Sequence, residues 1–109
     1  MTYRKAHIYV KTHFAGILEE SDFGYLFTYD DNYLLHPDAK PVSLTLPLDK
    51  NSFQSKVLFP FFDGLIPEGW LLEVAIKTWK INRNDRMGLL LATCKDNIGY
   101  VEVVEWNIV

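Results

Sequence analysis

A chain of 109 residues with 49% hydrophobic and 23% charged residues is sized for one domain around one core, and lies far from the polar, highly charged compositions that stay disordered. A net charge of -3 argues against phosphate neutralisation as the source of binding energy, so nucleic acid is not expected as a direct partner. One cysteine, Cys94, excludes an internal disulfide and suits a reducing compartment. With no basic leader before an apolar run and no uncharged stretch of about 18 residues, a cytoplasmic chain is expected.

The first thirty residues alternate as strands do. In Arg4 to Lys11, Ala6, Ile8 and Val10 interleave with His7 and Tyr9, the period-two pattern of a strand with two unlike faces. Phe14 to Glu20 and Gly24 to Asp30 continue it, with breaks at Thr12-His13 and Ser21-Asp22, which predicts three antiparallel strands joined by short turns. The pattern lapses at Asp30-Asp31-Asn32, and His36-Pro37-Asp38 with Lys40-Pro41 reads as a loop. Ser43 to Leu48 then alternates Leu44, Leu46 and Leu48 with Ser43, Thr45 and Pro47, which predicts an edge strand or a strand end.

From Val57 the pattern turns helical. Leu58 to Phe62 is densely aromatic, and Phe59 and Phe62 are expected in the core. The spacing predicts a helix over 67–79, with Leu72, Ala75, Ile76 and Trp79 on one buried stripe. A second helix follows Asn84-Asp85 as N-cap, burying Met87, Leu90, Leu91 and Cys94. Asp96-Asn97-Ile98-Gly99 is a turn, and Tyr100 to Glu105 returns to strand alternation. The expected fold is therefore α+β, a single domain over 1–109 with a mainly antiparallel sheet of about five strands and two to three helices packed on it.

Catalytic chemistry finds little footing. His7, His13 and His36 lack the spacing that would set two ligands on one helical face, so no metal is expected. Adjacent carboxylates in Glu19-Glu20 and Asp30-Asp31 point to opposite faces of a strand. Gly16, Gly24, Gly64, Gly69, Gly88 and Gly99 fall in neither P-loop nor dinucleotide spacing, so no nucleotide cofactor is expected. Cys94 sits on an apolar stripe as a small hydrophobe. These features point to a protein that is not an enzyme.

Trp70 stands apart, lying about 160° around the helix from Leu72 and nearest Val74 and Lys77. Exposed tryptophan is the side chain most enriched at interface hot spots. The alternative placement has Trp70 ahead of regular helix, folded back over Phe61 or Ile66. Lys77, Lys80, Arg83 and Arg86 form a modest basic cluster that reads as a solvated helix face.

Taken in order, "KPVSLTLPL", "FPFFDGLIPEGW" and "RMGLLLATCKDNIGYVEV" resemble the N-terminal domain of HipA-type serine/threonine kinases, where a Ser-Leu-x-Leu-Pro-Leu strand, a Phe-Phe-Asp-x-Leu-Leu-Pro helix start and an Asp-x-Val-Gly-Ala turn follow one another. The resemblance runs from the first strand to Glu105 and includes none of that family's catalytic parts. A free-standing copy is similar to HipS-type antitoxins of HipBST toxin–antitoxin systems. That likeness implies a HipA-like (HipT-like) kinase as partner, inhibited by this chain. The alternative it implies is a non-inhibitory scaffold that bridges the kinase to a HipB-like helix-turn-helix DNA-binding protein. Glu68-Gly69-Trp70 and Tyr100 depart from the longer family members. The partner-binding residues expected on this basis are Trp70 with Phe61, Asp63, Ile66, Pro67, Glu68, Gly69, Glu73 and Lys77.

Overall fold

The computed structural model describes residues 3–94 and 100–106. Its elements in chain order are β1 (Lys5–Val10), β2 (His13–Ser21), β3 (Gly24–Tyr29), α1 (Asp31–Leu35), β4 (Phe53–Ser55), α2 (Pro60–Asp63), α3 (Gly69–Trp79), α4 (Arg86–Thr93) and β5 (Val101–Glu105). The strands form one antiparallel sheet in the order β4-β3-β2-β1-β5, so the last strand returns to pair with the first.

Alternation in β1 turns Ala6, Ile8 and Val10 inward, where they meet Leu18 of β2, Phe27 and Tyr29 of β3, and Val101 and Val103 of β5. Phe59, Phe62, Ile66, Met87, Leu89, Leu90 and Cys94 close this core from the helical side. The register between β1 and β2 shifts at Ile8/Tyr9, where Ile8 faces Gly16 and Tyr9 faces Phe14. Ala15 is the extra residue of that bulge, and Ala15 and Gly16 are consequently both buried. A side chain at position 16 would collide with β3, because a Cβ there comes within 2.4 Å of the Thr28 carbonyl oxygen. The opposite sheet face carries an aromatic group in which the His7 ring lies 5.0 Å from Phe14 and 4.7 Å from Trp106.

Sheet and helix layers are pinned by one arginine. Arg4 sends one edge of its guanidinium to Glu20 on β2, at 2.7 and 2.9 Å, and the other to Asp85, at 2.7 and 3.0 Å. Asp85 also caps α4 by accepting the Gly88 N–H at 3.0 Å. Hydrogen bonds from Arg4 hold both carboxyls below the usual carboxylate range.

Strands β1, β2, β3 and β5 and the second long helix fall where periodicity predicts them, and the described residues form four helices, two of them long, against the expected two to three. Four local expectations are corrected. Ser43 to Leu48 is a turn with a single Ser43–Leu46 bridge, since the Ser43 hydroxyl accepts the Thr45 N–H at 3.2 Å and the Leu46 N–H bonds back to the Ser43 carbonyl at 3.0 Å. Leu44 is 95% exposed while Leu46 is buried, so the leucines share no face. Where a loop was expected after Asp30, that residue caps the one-and-a-half-turn α1, whose Tyr33 reaches the core. β4 falls at Phe53–Ser55, pairing with β3. Trp79, expected on the buried stripe, is 47% exposed, because the stripe is covered through Leu72, Ala75 and Ile76 and the chain leaves the helix at Lys80. The turn expected at 96–99 lies outside the described residues.

Candidate partner-binding surface

The expected partner-binding residues lie along α2, α3 and the connection between them. Phe59 precedes α2 and Pro60 is its first residue, a position where a missing N–H costs nothing. Phe62 is fully buried and Phe61 packs half-buried beside it, with ring centroids 5.3 Å apart. The chain then passes through Ile66 and Pro67 to an extended Glu68 and enters α3 at Gly69 with φ of +64°. A left-handed first residue favours glycine here, although a Cβ would have open space.

Trp70 follows at once and is regular helix. Its ring is 73% exposed, with Leu71 and Val74 about half exposed on the same side. The folded-back placement over Phe61 or Ile66 is thereby excluded. Leu72, Ala75 and Ile76 face the core, so α3 has an inner stripe that holds it and an outer stripe of Trp70, Leu71 and Val74 with no partner among the described residues. Lys77 extends that stripe as an exposed cation.

Other expected residues hold the segment in place. Asp63 accepts from Arg86 Nε at 2.6 Å, tying α2 to the start of α4. Ile66 is buried in the core, so it supports the surface from beneath and offers no contact of its own. Glu73 pairs with Arg83, which leaves Glu68 and Lys77 as the exposed charges flanking the tryptophan. Of the basic cluster, Arg83 and Arg86 are thus each matched by a carboxylate. Cys94, at the end of α4, is buried with its thiol 3.5 Å from the Leu65 carbonyl, and burial pushes the thiol up from its ordinary range.

Leu71 is the surface residue that periodicity around Trp70 could have named and did not, since positions 70, 71 and 74 share a face at 100° per residue. A second grouping was not legible at all: His13 and His36 meet with ring centroids 4.8 Å apart. Among the described residues no group of three or more histidines, cysteines and carboxylates is placed to hold a metal ion, and no helix is long and apolar enough to cross a membrane.

Comparison with known proteins agrees with this architecture. The family model of the HipA N-terminal domain matches residues 6–104. A solved structure described as the N-terminal domain of HipA toxin superposes with a TM-score of 0.67 at 28% identity, covering 95% of this chain and 93% of that one. An uncharacterized protein of Haemophilus influenzae is 31% identical over 102 residues, covering 94% of this chain and 92% of its own. The match spans the sheet and all four helices and concerns the N-terminal domain of HipA. The chain belongs to the HipA N-terminal domain family.

Proposed function

We propose that this chain is an antitoxin that binds a cognate HipA-like (HipT-like) serine/threonine kinase and inhibits it by placing Trp70 and its neighbours at the active-site cleft. The observation that carries this reading is the outer stripe of α3, where a tryptophan 73% exposed and without a role in its own core stands at the head of a rigidly backed helix. Membership in the family of a toxin's N-terminal domain supports the choice of partner. Leaving a large ring in water is unfavourable, and tryptophan at the centre of an apolar patch is the commonest anchor of protein interfaces. Leu71 and Val74 would shield the ring's base from water on docking, while Lys77 and Glu68 form a polar rim. A planar ring entering a cleft excludes substrate sterically and needs no reactive group on the inhibitor. Phosphotransfer by the cognate HipA-like kinase, assayed with and without this chain, falls in its presence; an unchanged rate sinks the reading.

A second reading, a scaffold joining the kinase to a HipB-like DNA-binding protein, draws on the aromatic sheet face of His7, Phe14 and Trp106, which lies across the sheet from the helices. Bridging needs two faces. Pull-downs of each protein separately distinguish the readings, since direct inhibition requires capture of kinase alone and a bridge captures both.

A further inference from the structure

The histidine pair belongs to neither of these faces. The β1–β2 turn carries His13 to within 4.8 Å, centroid to centroid, of His36, which follows α1. Together with Lys11, Tyr33, Asp38 and Lys40 the two rings line a cavity of about 320 Å³, at the lower end of the volumes that hold small ligands. In a chain of net charge -3, two lysines and two imidazoles around one carboxylate make a local concentration of cationic and hydrogen-donating groups.

Hydrogen bonding sets what this cavity can offer. The Tyr33 hydroxyl accepts the Lys40 N–H at 3.0 Å and donates to the Lys40 carbonyl at 2.6 Å, which fixes the loop over the cavity and spends the phenolic proton. His36 Nδ1 accepts the Asp38 N–H at 3.1 Å. The proton of the neutral ring therefore sits on Nε2, which makes that nitrogen a donor and denies it the free lone pair a metal would need. Lys11 lies with its ammonium 5.5 Å from the centre of the Tyr100 ring, a contact that restrains a long side chain at the rim.

The backbone beneath is strained in the same place. Lys11 and Thr12 have φ of 48° and 71°, the positive values a two-residue hairpin turn demands and asparagine and glycine ordinarily supply. An ordinary side chain there costs about 1–2 kcal/mol, and a β-branched one such as threonine is worse placed still. Strain of this kind concentrates where ligands are held.

Donors, lysine charges and small volume together suit a compact dianion with several acceptor oxygens. We infer that this cavity binds a phosphate monoester, independently of the α3 surface. Two sources share that chemistry, a free small phosphate and a phosphorylated side chain of another protein, and separate probes distinguish them.

The test is a backbone amide NMR titration of the chain with inorganic phosphate, adenosine monophosphate and O-phosphoserine, using sodium chloride at matched ionic strength as control. Saturable shifts confined to residues 11–13 and 36–40, with a dissociation constant of about 5 mM or tighter for at least one phosphate, are expected. Tighter binding of inorganic phosphate or the mononucleotide marks a free ligand, and tighter binding of O-phosphoserine marks a modified chain. Lys40→Gln and His36→Asn each weaken binding roughly five-fold or more, as loss of a charge-assisted partner does. Lys40 is exposed, so its variant stays informative if His36→Asn disturbs the loop. Shifts that fail to saturate, that lie elsewhere, that chloride reproduces, or that persist unchanged in Lys40→Gln overturn the inference.

Discussion

Replacing Trp70 with alanine separates surface from core more sharply than any other change. Taking a tryptophan side chain as burying up to roughly 250 Å², the 73% of Trp70 left exposed leaves about 180 Å² for a partner to cover. At about 25 cal/mol per Å² that area is worth roughly 4–5 kcal/mol of transfer free energy. Ordering costs and imperfect fit reduce what an interface realises, so a loss of about 2–4 kcal/mol is expected, a weakening of roughly 30- to 1000-fold. Folding should hardly notice, with a change in unfolding free energy within about 0.5 kcal/mol. Isothermal titration of the purified kinase with wild-type and Trp70→Ala chains gives the first quantity, and urea unfolding of both gives the second. An unchanged affinity refutes the assignment of Trp70. A collapse of stability would instead mean that the ring serves the core.

Three further outcomes follow from the packing. Thr12→Gly removes a β-branched side chain from a left-handed position and should raise stability by about 1 kcal/mol, read as a melting temperature several degrees higher. Arg4 holds the Glu20 and Asp85 carboxyls below their ordinary ranges, so the native state binds their protons only at lower pH than the unfolded chain does. That contribution is complete above the unfolded carboxylate values near pH 4 and is lost as pH falls through the folded ones. With the Arg4 side chain 37% exposed, solvent screening limits it to on the order of 1 kcal/mol, and Arg4→Met should flatten the acid limb of urea-midpoint against pH. Cys94, buried with its thiol pushed up, should resist a thiol-specific reagent at pH 8 in native protein and react promptly in urea.

What could be read without coordinates depended on how many residues repeat a pattern. Strands β1 to β3 carry it over six to nine residues, and Met87, Leu90 and Leu91 of α4 with Cys94 at its end repeat at helical spacing, so these faces were readable from periodicity, while Leu89, also fully buried, lies off that stripe and was not named. β4 has three residues and α1 five, too few for any period to emerge against the tertiary contacts that form them. Alternation misled at Leu44, Leu46 and Leu48 because Ser43 and Thr45 bond locally and the Tyr29 hydroxyl draws in the Leu46 carbonyl, which makes a turn of a strand-like string. Helical geometry did place Trp70 outward, since an angle around an axis needs no knowledge of neighbours. Trp79 was placed inward by the same rule and lies half out, because the angle says nothing of where the covering layer ends. His13 and His36 meet across a hairpin end and a helix end, a juxtaposition no local period encodes.

The most direct test of the account is the phosphotransfer rate of a HipA-like kinase from the same organism, measured as the chain is titrated in from well below to well above the kinase concentration. The rate should fall with added chain and reach background near one equivalent, with Trp70→Ala displaced to much higher concentration. A kinase that binds the chain and yet retains full activity at saturation would contradict it.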